Sequence, residues 1–187
     1  PPLPSVVMLP LVLLFGERTP SNLVSALYGI FTAMIACKIL KKAGMKPDRA
    51  VFFAISYVWG SNMVVADNGI LLLMASKVLG DDSYVDYAAD QLNYILGRNA
   101  VSYCYVTGYG SQTPENPHHR PSEALGKAMP GMLVGGADGN LEDPYAKAVL
   151  AKIPKERCYV DNAQSYSCNE VTIYWNSPLV YLLANFK

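Results

Sequence analysis

The sequence predicts an all-α chain, on three observations. Ser83–Leu96 carries apolar residues at Val85, Ala88, Ala89, Leu92, Ile95 and Leu96, a stripe of helical period with acids on the opposite face. A second apolar stretch, Met63–Leu79, precedes it across the three-residue break Gly80-Asp81-Asp82, and two helices joined so tightly form an antiparallel hairpin. A third, Asn22–Ala43, is apolar almost all round and is bounded by Ser21 as a cap and by Lys41, Lys42 and Gly44 at its end.

Taken in order, residues 1–20 open with prolines and hold an apolar run from Val6 to Phe15. The run has no basic segment before it and a proline inside it, so it reads neither as a signal peptide nor as a membrane span, and packing against further protein is expected. The helix at 22–43 offers only about seventeen uncharged residues, the lower limit for a span, so a helix buried within a larger helical assembly is the expectation. Asp48–Ile55 is expected to form another short helix. In the hairpin, Ser83 is the expected cap of the second helix, with Asp86 three residues on and Gly97 at the end. From Val101 to Pro121 the glycines and prolines Gly108, Gly110, Pro114, Pro117 and Pro121 exclude a long helix and predict a stiffened loop. Beyond it, Asp138, Asn140, Glu142 and Asp143 suit either a calcium loop or a plain polar turn, with the turn the expectation. The chain closes with Asn176 as a cap, Pro178 at the first helical position and a short apolar helix.

Hydrophobic residues make up 51% of 187, ample for a core. Fifteen basic and fifteen acidic residues cancel without any basic block, which argues against a nucleic acid or anionic membrane as partner and favours a neutral ligand. Thirteen tyrosines and two tryptophans suit a carbohydrate surface as well as a core. The cysteines Cys37, Cys104, Cys158 and Cys168 lack metal-ligand spacing, and the only histidines are His118 and His119, so no metal site is expected and buried free thiols are the default.

The segment Tyr159–Ser177 concentrates the chemistry. Asp161, Tyr166, Glu170, Trp175 and Asn176 fall within nineteen residues that hold no other charge. With a helix from Asn162 onward, Tyr166 and Glu170 share a face, and the ring shields one side of the carboxyl. Such shielding favours the protonated acid, as a general acid requires, and flanking aromatics suit a sugar ring. The plainer alternative is a surface glutamate beside core aromatics. Asp161 reads as a helix cap with Gln164 completing a capping box, with support of the site as a second duty.

The order of Tyr159, Asp161, Tyr166, Glu170, Thr172, Asn176 and Ser177 closely resembles the C-terminal active-site signature of the family 9 glycoside hydrolases, cellulases that cleave β-1,4-glucan with inversion. Three further stretches resemble the same family: WGSN at 59–62 before a hairpin ending in YILGRNA, His118-x-Arg120 after Pro117, and PGMLVGG at 130–136. Cys104 and Gln112 depart from its usual pattern. The resemblance implies that residues 55–187 are the later helical hairpins of an (α/α)6 barrel, incomplete in this chain, with 1–54 an unassigned helical segment of the same barrel. It implies Glu170 as general acid, His118 and Asp161 as further catalytic-site residues, and His118, Arg120, Trp59, Tyr166 and Trp175 as sugar-binding. It also implies a secreted endoglucanase whose partners are β-1,4-glucan or cello-oligosaccharides and the rest of the catalytic domain. No cofactor is required for the chemistry, with a structural calcium ion the one possibility. Inverting hydrolysis needs a second carboxylate roughly 6.5–9.5 Å from the acid. The family's Asp general-base motif is not found in the sequence, and Asp67, inside the WGSN helix, is not that motif. The chain alone is therefore expected to be inactive. The alternatives are a non-catalytic glucan-binding module and a helical interaction or membrane-associated protein.

Overall fold

The structure, a computed structural model, describes residues 60–186. The predicted helices at 22–43 and 48–55, the apolar run at 6–15, Cys37 and Trp59 lie outside the described residues. Within them the chain forms α1 (Ser61–Leu79), α2 (Ser83–Ile95), α3 (Arg120–Leu125), α4 (Pro144–Leu150), α5 (Tyr166–Asn169) and α6 (Ile173–Asn185). A 3₁₀ turn, Lys155–Arg157, follows α4. No strand is present among the described residues, only three isolated bridges.

α1 starts at Ser61, two residues before the predicted point, because Gly60 takes the left-handed conformation (φ 76°) and turns the chain into the helix. At the other end Gly80 is again left-handed, and its N–H closes on the Ser76 carbonyl. The expected Ser83 cap is corrected: Asp82 is the cap residue, Ser83 is already helical, and its N–H is taken by the Asp81 carboxylate at 3.0 Å. The turn's own acid reaches the free donor before Ser83 can cap anything.

α1 packs against α2 and α6. Val65, Ala66 and Leu73 of α1, Ala88, Leu92 and Ile95 of α2, and Leu179 and Leu182 of α6 are all buried. Gly69 lets α6 come close, since a Cβ there would lie 2.8 Å from a Leu182 methyl. By length and composition α1 is apolar enough to cross a membrane, yet its buried face belongs to this helical core.

α6 begins at Ile173, not at Pro178 as predicted. Thr172 is its cap, accepting the Trp175 N–H at 3.2 Å, and Pro178 stands inside the helix. Proline removes the bond its N–H would have given to the Tyr174 carbonyl; the Ser177 hydroxyl approaches that carbonyl instead, at 3.4 Å. Asn176, freed from capping, accepts the Leu133 N–H through Oδ1 at 2.8 Å and donates to the Thr172 carbonyl at 2.7 Å.

Between the helices, four stretches of irregular chain lie side by side. The bridges join Val106 to Leu133, Val134 to Val171, and His118 to Glu170. The N-terminus of α1 is stitched to this layer: the Asn62 N–H reaches the Gly135 carbonyl at 2.9 Å and its side-chain amide reaches the Val134 carbonyl at 2.9 Å. The two glycines of LVGG make this approach possible. A Cβ on Gly135 would sit 2.9 Å from the Ser167 carbonyl oxygen, and one on Gly136, which has φ 97°, would sit 2.6 Å from three atoms of Asn62.

Candidate active site

Glu170 lies at the C-terminal end of α5, in extended backbone (φ −67°, ψ 149°). The helix expected from Asn162 onward is only a single turn, four residues long. Asn162 folds back on itself instead, its Oδ1 accepting the Gln164 N–H at 2.9 Å. The turn that does form is held from outside by Asp143. That buried carboxylate accepts the hydroxyls of Ser165 at 2.7 Å and Ser167 at 2.5 Å and the Ser167 N–H at 3.2 Å, while its other oxygen caps α4 at Ala146 N–H, 2.7 Å away. Burial opposes the charge on Asp143, but these serine and backbone donors outweigh it and hold its carboxyl below the ordinary value. Glu170 and Tyr166 are thus joined by one helical bond, Glu170 N–H to Tyr166 carbonyl, at 3.2 Å.

His118 is brought directly beside Glu170. Its N–H donates to the Asn169 carbonyl at 2.8 Å, within the parallel bridge to Glu170. Its Nδ1 lies 2.5 Å from the Ala163 carbonyl. A carbonyl only accepts, so Nδ1 carries a proton. Tyr166 meets the His118 ring edge-on at 6.2 Å, and its hydroxyl donates to the Glu142 carbonyl at 3.3 Å. Arg120 follows two residues later as the first residue of α3, with its side chain exposed. His119 between them is the cap residue of that helix, and its Nδ1 lies 2.9 Å from the Ser122 hydroxyl. An open groove of about 560 Å³ runs alongside, bordered by His119, Met132, Val171 and Thr172.

Asp161 is placed near the site but not as a helix cap. Its Oδ2 accepts the Glu115 N–H at 2.8 Å, and its Oδ1 accepts the Asn116 N–H at 3.0 Å and the Asn169 side-chain amide at 2.8 Å. The capping-box reading fails because these loop donors, distant in sequence, occupy the carboxylate. Tyr103 stands beside it, and burial first, then the Asp161 charge, push its phenol up to about 12. Trp175 is corrected as well. It is 4% exposed, and its ring lies against Gly60, where a Cβ would be 2.9 Å from it. A ring so enclosed offers no face to a sugar and serves as packing.

The polar turn is observed at 138–143. Asp138, fully buried, accepts the N–H groups of Asn140 at 3.0 Å and Glu142 at 2.6 Å, while Asp143 points away to its serines. No group of three or more His, Cys, Asp or Glu side chains gathers among the described residues. Cys104, Cys158 and Cys168 are buried free thiols, and burial pushes Cys168 up to about 11.

Two residues that hold the site together were not singled out by sequence: Asp143 and Asn169. The one available signal for Asn169 was its place immediately before Glu170. Asp143 was visible only as a member of a polar turn.

The profile of Glycosyl hydrolase family 9 matches residues 21–183. The chain is 37% identical over 134 residues to a cellulose 1,4-beta-cellobiosidase of Acetivibrio thermocellus, covering 68% of this chain and 15% of that protein. It is 37% identical over 155 residues to a xyloglucan-specific endo-beta-1,4-glucanase of Bacteroides ovatus, covering 80% and 26%. Among solved structures, a thermostable endoglucanase from Alicyclobacillus acidocaldarius matches with a TM-score of 0.67 at 34% identity, over 90% of this chain and 33% of that one. The chain therefore spans about a quarter or less of these curated relatives and about a third of the solved chain.

Proposed function

Because the chain belongs to glycosyl hydrolase family 9, we propose that the whole protein hydrolyses internal β-1,4-glucosidic bonds of cellulose or a related β-glucan, with inversion and with Glu170 as general acid. The observation that carries this reading is the bridge between His118 and Glu170. It pairs the backbone of Glu170 with that of His118, whose imidazole Nδ1 is tied to the Ala163 carbonyl, and the exposed residue Arg120 follows two residues later. Glu170 protonates the departing glycosidic oxygen. His118 and Arg120 hold sugar hydroxyls, the imidazole through its Nε2 and the guanidinium through its fork of donors. The Tyr166 ring stands edge-on to the His118 ring.

Inversion needs a second carboxylate, roughly 6.5–9.5 Å across the bond, to activate water. Asp161, Asp138 and Asp143 do not suit that duty, since loop backbone or buried serines occupy them. We infer that the base is supplied by the rest of the catalytic domain, and that this chain alone binds glucan without turning it over. The reaction transfers a glycosyl group from the departing oxygen to water with no change of oxidation state, so the chemistry requires no redox cofactor, and a polymeric substrate argues for an enzyme that acts outside the cell.

The test compares the complete protein with Glu170→Gln on soluble cellulose, following reducing ends and the anomeric form of the product. Replacing the acid lowers the rate by several orders of magnitude, on the order of the 10²–10⁴-fold a general acid supplies and above. An unchanged rate overturns the acid assignment, and a product released first as the β-anomer overturns inversion. Affinity for cello-oligosaccharides without turnover in the complete protein would identify a glucan-binding module instead.

A further inference from the structure

Asn169 is fully buried, and both of its side-chain donors and its side-chain oxygen are hydrogen-bonded. The Tyr159 hydroxyl lies 2.7 Å from its Oδ1. Its Nδ2 donates to the Asn116 carbonyl at 2.6 Å and to Asp161 Oδ1 at 2.8 Å. Those two partners are a carbonyl and a carboxylate, which only accept, so the amide cannot be turned the other way and Tyr159 must be the donor. On the main chain, the Asn169 carbonyl accepts the His118 N–H at 2.8 Å, and the next residue is Glu170. The segment 116–118 therefore hangs from Asn169 at both ends, through Asn116 and His118, with the buried Pro117 between them.

We propose that Asn169 is a positioning residue that sets the spacing between the Glu170 carboxyl and the His118 imidazole. The proposal rests on the reading of Glu170 as general acid. The amide itself does no proton transfer, since both its protons are engaged and it has no access to solvent. It acts through the two chains it ties together. Aspartate in its place would set two carboxylates against each other at the Asp161 contact. An aliphatic side chain would leave the Tyr159 hydroxyl without this acceptor and the Asn116 carbonyl without this donor. Either way the 116–118 segment shifts relative to Glu170, and a displacement near 1 Å costs about 100-fold in rate.

A general acid matters in proportion to how badly the leaving group needs a proton. In the complete protein, cellotetraose leaves an alkoxide-like sugar oxygen that must be protonated, whereas 2,4-dinitrophenyl β-cellobioside leaves a stable phenolate that need not be. Asn169→Ala is expected to lose about 100-fold in kcat on cellotetraose and less than about 5-fold on the aryl substrate. Tyr159→Phe keeps the ring and removes one bond to Asn169; it is expected to show the same selectivity with a loss of about 10-fold. Equal losses on both substrates, or none on either, overturn the positioning role, and Tyr159→Phe decides if Asn169→Ala does not fold. Glu170→Gln is run alongside. Full rate on cellotetraose in that variant overturns the acid assignment and this proposal with it, whereas a selective Glu170→Gln loss beside an unselective Asn169→Ala loss overturns the positioning role alone.

Discussion

Where α1 meets α2 and α6 the contacts are made by Val65, Leu73, Leu92, Ile95 and Leu182, all apolar and all buried. Where the chain segments of the site meet, apolar side chains such as Val106, Leu133 and Val134 are also buried, but among them lie the buried polar side chains Asn62, Thr107, Asp143, Ser165, Ser167 and Asn169. Apolar contact is not directional, so a helical core accepts small slides and volume-conserving exchanges at modest cost. A buried hydrogen bond fixes distance and angle, and leaving one partner unpaired costs about 1–3 kcal/mol. The molecule thus uses the forgiving force for its frame and the exacting one where a carboxyl group and an imidazole must keep their spacing.

Substitutions in the two regions sharpen that contrast. The largest effect is expected at Gly136, where φ is 97° and a Cβ would press on Asn62, itself bonded to Val134. Backbone strain and overpacking add to about 4 kcal/mol for Gly136→Ala, read in chemical unfolding of the protein. Within the helical core, Leu182→Ala removes a fully buried side chain packed on Gly69 and is expected to cost about 3 kcal/mol. Leu182→Met, which keeps the volume, should cost less than about 1.5 kcal/mol; a Met variant as damaging as the Ala one would remove the distinction between the regions.

The smallest of the three destabilising losses carries a pH signature. Asp143→Asn loses the charged acceptor for Ser165, Ser167 and Ala146 and is expected to cost about 2 kcal/mol at neutral pH. Because the folded carboxyl lies below its ordinary value, this stabilisation is complete above about pH 4 and is lost as pH falls through the lower folded value. The gap in unfolding stability between the two proteins should therefore narrow below about pH 4 and stay constant above it. A gap that widens in acid would show that Asp143 is not held in its charged form.

The hairpin was legible because helical period and the Gly80 break are local, and it belongs to the later hairpins of an (α/α)6 barrel, of which this chain covers part. Glu170, His118 and Arg120 are marked in the sequence by motif spacing, which is local. What spacing does not record is enclosure. Trp175 reads in sequence as a sugar platform, and only its contact with Gly60 shows otherwise. Asp161 reads as a local cap because Gln164 stands three residues on, yet its partners Glu115 and Asn116 are 46 and 45 residues away. The same holds for Asn169, whose contact with Asn116 spans 53 residues. α6 was begun too late because Pro178 suggested a first turn, while Thr172 had already capped the helix.

The bonds that place Glu170 and His118 are long-range, and the stitch from Asn62 to Val134 spans 72 residues. The α1–α2 hairpin closes across a three-residue turn. Short loops close with little entropy loss and long ones only when other contacts already hold their ends. The order of assembly follows: the α1–α2 hairpin first, the layer around Glu170 and the docking of α6 after it. A polypeptide emerging from the ribosome therefore gains its α1–α2 hairpin well before it gains a cleft, and neither the cleft nor the contact with α6 can close until the residues around and beyond Glu170 have been made.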